Sequence, residues 1–181
     1  MNRAGLTDLL LGLYPTDAQE RADVDRMLRL VDDLGDPFSR DEPSAHFTAS
    51  AVVVDEERGL VCLVDHAKLG RRLQPGGHLE PEDESPATGA LREAHEETGL
   101  DVRLHPFAPR PIDVDIHDFP ERDGRVAHLH LDLRYLVLAA GEPTVAGAAW
   151  YGFEEALAQA DEPALRRLLE KARRFVADPR S

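Results

Sequence analysis

Apolar positions along this chain change period as it is read from the N-terminus. Val24, Met27, Leu28, Val31 and Leu34 recur at the three-and-four spacing of one helix face. Ahead of them, Thr16-Asp17-Ala18-Gln19 has the spacing of a capping box, and Gly35 is placed to stop the helix. Residues 36–43, with two prolines, read as a linker. The pattern thus predicts an N-terminal helical arm over 1–43 and a domain over 44–181. From His46 the period drops to two. "HFTASAVVV" and "LVCLV" flank the turn-like "DEERG" and predict a hairpin, and "DVRLHPF" predicts a short strand. "PIDVDIH" and "VAHLHLDLRYLVL" alternate polar and apolar residues strictly, with 118–125 as the loop between them. "AAWYGFEEAL" reads as a strand end entering a short helix. Pro163 suits the first turn of a last helix whose stripe is Leu165, Leu168, Leu169, Ala172 and Val176. Strands interrupted by a central helix and closed by a terminal one argue an α/β or α+β domain.

That central helix is the densest signal. Ser85 is a good N-cap, Pro86 a good first residue and Gly99 a good stop, which brackets a helix over 86–98. Ala87, Leu91, Ala94 and Thr98 fall on one narrow face, suited to packing on a sheet. Glu93, Glu96 and Glu97 fall together elsewhere, because side chains three and four residues apart are neighbours. Such like-charge pairs destabilise a helix by roughly 0.2–0.5 kcal/mol each. Arg92 offsets only part of this. A hard divalent cation, magnesium above all, offsets the rest, since it prefers carboxylate oxygens, water and substrate phosphates. A solvated acidic face is the competing reading; the agreement of cap, glycine turn and carboxylate spacing favours the metal.

Composition narrows the partners. The 181 residues carry a net charge of −14, which repels a nucleic-acid polymer and leaves no basic stripe for its phosphates. Small phosphorylated substrates fit if metal ions neutralise both sides. "LTDLLLGLY" is too short and too interrupted to span a membrane, and it lacks the flanks of a signal peptide. One cysteine, Cys62, excludes an internal disulfide and a cysteine-based zinc site, so a cytoplasmic setting is expected.

The stretch from Gly76 to Leu100 resembles the Nudix box, G-x5-E-x7-R-E-U-x-E-E-x-G-U with U aliphatic. Glu84 is followed by seven residues and then by Arg92-Glu93-Ala94-His95-Glu96-Glu97-Thr98-Gly99-Leu100. Six residues instead of five separate Gly77 from Glu84, a one-residue insertion in the loop. The resemblance extends over about residues 46–160. It implies an α/β/α sandwich with a mixed sheet and metal-dependent hydrolysis of the pyrophosphate linkage in a nucleoside diphosphate joined to another group. It further implies that Glu93, Glu96 and Glu97 hold Mg2+, with Mn2+ a substitute, and that Gly76 and Gly77 bring a backbone carbonyl to the metal. Arg92 is then the residue that fixes Glu93, and Glu84 the one that orients Arg92. A non-catalytic nucleotide-sensing module and a diphosphate isomerase are the alternatives on the same fold. The box carboxylates are all present, against the first, and Cys62 falls in an expected core position, against the second.

The alternating strands supply the remaining candidates. His128, His130, Asp132 and Arg134 share one face, as do Asp113, Asp115 and His117. These faces would adjoin in a hairpin, either as a wall of the substrate cleft or as a solvated surface. Family members often carry an acidic residue shortly before the late tryptophan; "TVAGAAW" has none, which favours Asp132 or another hairpin residue as the auxiliary group. His66, Lys68, Arg71 and Arg72 precede the glycine turn and are candidates for phosphate or sugar contact, or equally surface loop residues; Arg72 is taken as a substrate-binding candidate. Trp150 and Tyr151 could stack on a base, though core packing is the commoner fate. The arm could cap its own core or cross to a second subunit in a homodimer.

Overall fold

The computed structural model describes residues 2–66, 70–121 and 126–177. Its elements are α1 (Arg3–Leu11), α2 (Ala18–Asp33), β1 (Ala45–Asp55), β2 (Leu60–His66), β3 (Arg71–Leu73) and β4 (Gly76–His78), then α3 (Pro86–Thr98), β5 (Val102–Leu104), β6 (Asp113–Phe119), β7 (His128–Ala139), β8 (Ala148–Gly152), α4 (Phe153–Gln159) and α5 (Pro163–Ala177). All eight strands join one mixed sheet, in which β1 runs parallel to β7 and the other pairings are antiparallel. The long central strands each take two partners on their outer edges. β1 pairs β4 and then β2, while β7 pairs β6 and then β5. The sheet forks there, and β4 places the glycine turn in the fork.

Helices cover both faces, as the α/β/α reading requires. Phe47, Ala49, Ala51, Leu131, Leu133 and Tyr135 pack with Ala90 and Ala94 of α3 and with the arm. Val52, Val54, Leu136 and Leu138 pack on the other side with Leu165, Leu168, Leu169 and Ala172 of α5.

The arm has a helix that the apolar spacing did not reveal. α1 starts at Asn2, whose side chain accepts from the Gly5 N–H at 2.8 Å, and it buries Leu6 and Leu10 beside Val24, Met27 and Val31 of α2. The Arg3 guanidinium then caps the far end of α2, donating to the carbonyls of Val31, Leu34 (2.6 Å) and Gly35 (2.6 Å). The N-cap of α2 lies one residue later than expected, at Asp17. The Asp17 carboxylate accepts from the Glu20 N–H, and the Glu20 carboxylate accepts in return from the Thr16 N–H. Leu34, not Gly35, is the C-cap. The apolar face of the arm is buried in this chain's own core. The expected loop after "PIDVDIH" begins later, since β6 runs through Asp118 to Phe119, and residues 122–125 lie outside the described residues.

Candidate active site

The box helix forms where the sequence places it. Ser85 and Thr88 exchange a reciprocal capping box, Pro86 opens the first turn, and Gly99 closes the helix at φ 70°, in the left-handed region that favours glycine. Ala94 and Thr98 of the expected face are fully buried and Ala90 joins them, with Ala87 and Leu91 half-buried at the margin. Small residues bring the helix close to β1 and β4. Gly76 lies so near Ser50 that an added Cβ would meet the serine Cβ at 2.3 Å; one on Gly77 would meet the Glu93 carboxylate at 2.5 Å. The Gly76 N–H donates to Glu97 Oε2 at 3.1 Å. The glycine turn and two of the three glutamates therefore form one surface.

Arg92 organises that surface. It donates to Glu93 Oε1 at 2.9 Å and reaches Glu96 Oε2 at 3.5 Å, and its Nη2 donates to the His78 carbonyl at 2.9 Å. Its firmest support is Asp83, whose two carboxylate oxygens take Nε at 3.2 Å and Nη2 at 3.0 Å. The sequence assigned this support to Glu84. Glu84 is exposed and lines a cleft of about 200 Å3 between α1 and the start of α3. Counting from Gly77, Asp83, with five residues between them, occupies the place that the box gives to its glutamate. The extra residue lies after it, and Gly89 makes room, since a side chain there would strike Leu79 and Asp83.

The charges do not balance. Glu80, Asp83, Glu93 and Glu96 gather around the single guanidinium of Arg92, and the charges of Glu93 and Glu96 act on Glu97 beside them. The Asp83 hydrogen bonds chiefly push the Arg92 pKa up. Burial raises the carboxyl pKa of Glu93 despite Arg92, and it raises that of Glu97 despite the Gly76 N–H. Half-buried hard oxygen donors that outnumber the cations fit a divalent ion of the magnesium type. Their oxygens are not gathered tightly: Glu93 and Glu96 rest on Arg92, while Glu97 rests on Gly76.

The alternating strands behave differently from either expectation. β6 and β7 do pair, and their polar faces do adjoin. That face is neither solvated nor an open wall along most of its length. Arg134 is 1% exposed and bridges Asp113 (3.3 Å), Asp115 (3.0 Å) and Asp132 (3.2 Å). Arg167 and Lys171 of α5 also pair with Asp113, and Lys171 pairs with Glu20 of α2. Asp132 accepts from the hydroxyls of Thr48 at 3.0 Å and Ser50 at 2.7 Å. A carboxylate so enclosed by donors is not a free base, so Asp132 belongs to the structural network.

At the fork the same face carries histidines. His128 and His130 have their Nε2 atoms 3.2 Å apart. Burial first, and then the imidazoles of His46, His78, His128 and His117, push the His130 pKa down to about 2. His46 and His78 were not among the candidate site residues of the sequence reading. They meet His130 through the parallel register His46↔His130 and the antiparallel register Thr48↔His78, neither of which a local pattern displays.

Arg72 sits elsewhere, with Nε 3.2 Å from Asp65, Nη1 2.6 Å from Gln159 and its guanidinium 4.7 Å over the Tyr151 ring. With His66 and Arg71 it lines a cleft of about 500 Å3. Lys68 lies outside the described residues. Trp150 donates to the Gly141 carbonyl at 2.8 Å, beneath Arg58. Cys62 is buried, and burial pushes its thiol up to about 12, which leaves it no role as a nucleophile.

Fold, glycine turn and box helix define a family, and comparison with known proteins agrees. The family model of the NUDIX domain matches residues 45–172, and the chain belongs to this family. It is 35% identical over 97 residues to a probable DHNTP pyrophosphohydrolase of Lactococcus lactis, covering 52% of this chain and 55% of that protein. It is 38% identical over 71 residues to a MutT-like protein of Streptomyces ambofaciens, covering 39% and 46%. The chain thus spans about half the length of these curated relatives. Among solved structures, the C. elegans Ap4A hydrolase superposes with a TM-score of 0.53 at 20% identity, covering 72% of this chain and 97% of that one. This likeness shows the fold. Among the described residues, no helix is long and apolar enough to cross a membrane.

Proposed function

We propose that the protein is a magnesium-dependent pyrophosphohydrolase acting on a nucleoside diphosphate linked to another group. The observation that carries this reading is the excess of carboxylate around Arg92, Glu93 and Glu97 half-buried among it, beside a glycine turn in which a side chain on Gly76 would strike Ser50. Family membership and the name of the Lactococcus relative support it.

Glu93, Glu96, Glu97 and a carbonyl of the Gly76–Gly77 turn are the residues that would hold Mg2+, or Mn2+ in its place. When bound, the ion supplies charge for the diphosphate and acidity for water. The protein's own part is positioning. Asp83 and the His78 carbonyl fix Arg92, and Arg92 holds Glu93 Oε1, which leaves Oε2 to take the proton of the attacking water. The water oxygen bonds to one phosphorus as the bridging P–O bond breaks, giving a nucleoside monophosphate and the phosphorylated second group. Gly76 holds Glu97 against the turn through its N–H.

The test is a screen of nucleoside triphosphates, dinucleoside polyphosphates and nucleotide sugars with Mg2+ and with Mn2+, reading monophosphate release. Turnover on at least one class, abolished by chelation, is expected. Tight nucleotide binding without turnover on any class would instead make the protein a sensing module.

A further inference from the structure

Three strands deliver three imidazoles to one point. His46 comes from the start of β1, His78 from the end of β4 and His130 from β7, and their donor atoms all lie within 4.8 Å of one another. The ring centroids are 5.0 Å (His46–His78), 4.7 Å (His46–His130) and 4.8 Å (His78–His130) apart, with His46 only 2% exposed. Successive strand residues point to opposite faces. His78 shares its face with Thr48 and His46, whereas Gly77 shares the opposite one with Ala49, toward α3. The imidazole cluster and the carboxylate cluster therefore lie on opposite sides of the same turn.

We propose that His46, His78 and His130 form a second metal site, which takes a borderline divalent cation such as Zn2+ or Ni2+ in preference to Mg2+. Three imidazoles with an open fourth position are the ligand set of a zinc site, and imidazole selects such metals over magnesium, which demands oxygen. Metal–nitrogen bonds of about 2.0–2.1 Å set tetrahedral ligand atoms roughly 3.3 Å apart. Side-chain rotation closes the remaining gap, because the donor atoms already converge. The Nε2 atoms of His128 and His130, 3.2 Å apart, show that imidazoles on this strand can already stand at such a spacing. Phe119, stacked on His130 with centroids 3.9 Å apart, shields the site on another side. The site also ties into the box, because the His78 carbonyl accepts from Arg92. A metal here pins the glycine turn to β1 and β7.

Cobalt distinguishes the two sites, since tetrahedral imidazole ligation gives an intense visible spectrum and octahedral carboxylate ligation a weak one. The full chain should take up Co2+ with the intense spectrum, which Zn2+ displaces and Mg2+ does not. His78→Ala and His130→Ala should each weaken binding by about tenfold or more, the scale on which even an outer partner of a metal ligand acts. Glu97→Gln should leave the spectrum intact. Absence of the intense spectrum, its survival in both histidine variants, or its loss in Glu97→Gln overturns the proposal. If the variants do not fold, the ring-nitrogen resonances of the parent decide. Zn2+ must shift those of all three histidines, and unmoved resonances overturn the site.

Discussion

Two regions of this protein gather carboxylates, and they treat them in opposite ways. Between β6, β7, α2 and α5, the carboxylates of Glu20, Asp113, Asp115 and Asp132 are interleaved with Arg134, Arg167 and Lys171. Burial there is nearly complete, and the cations belong to the chain. On α3, Glu93 and Glu96 share Arg92 with Asp83 and Glu80, Glu97 rests on the Gly76 N–H, and the surface stays partly open. The first arrangement satisfies its own charges and can therefore be sealed. The second leaves negative charge uncompensated beside a glycine turn, a condition that a ligand can relieve. Acidic density alone does not separate structure from function; the local supply of fixed cations does.

The largest effect should come from breaking the closed network. Arg134→Met removes the cation shared by Asp113, Asp115 and Asp132, of which Asp113 keeps Arg167 and Lys171. Removing one partner of a buried ion cluster typically costs about 3–5 kcal/mol. Denaturant unfolding should register a loss of that size, whereas a loss below about 1 kcal/mol would mean that the network is solvated. The open region should respond in the other sense. Glu97→Gln keeps the size of the side chain and removes like charge, so thermal stability should hold or rise slightly. Turnover should fall by about a hundredfold, or ~2.7 kcal/mol at ~1.4 kcal/mol per decade. Near-parental turnover would remove α3 from the catalytic surface.

A finer comparison separates adjacent residues. Asp83→Asn should lower turnover by about 10–100-fold, as loss of a partner that orients a ligating group does. Glu84→Gln should leave turnover unchanged, because Glu84 faces the cleft beside α1. The reverse ranking would restore the sequence-based assignment. The smallest effect concerns Asp23 of α2, a buried carboxyl whose pKa is raised, by desolvation above all, against the help of Gln19. A folded-state pKa above the unfolded one favours folding while the group is protonated. That contribution is lost as pH rises through the folded-state value, above the ordinary aspartate range. Asp23→Asn should therefore raise the melting temperature slightly at neutral pH, and the gain should vanish in acid. A gain that is constant with pH would show that packing, not charge, is responsible.

Local information carried much of this structure. The bounds of α3, its Ser85 and Gly99 caps, the β1–β2 and β6–β7 hairpins and the β8–α4 junction follow from neighbours within a few residues, where backbone propensity and side-chain period act directly. The clustering of Glu93, Glu96 and Glu97 is legible for the same reason, since helical spacing fixes it. Contacts between distant residues were not legible. Whether Asp83 or Glu84 meets Arg92 depends on how a loop with one extra residue folds under Leu79 and Gly89. The polar face of β7 looked accessible from its alternation; it is enclosed because α5 and α2 bring cations and a carboxylate from far along the chain. Likewise, His46, His78 and His130 meet through strand register, which long-range pairing sets and a sequence period of two leaves undetermined. Sequence alone determined the elements and the acidic helix face; tertiary packing decided which charges are sealed and which remain open to a ligand.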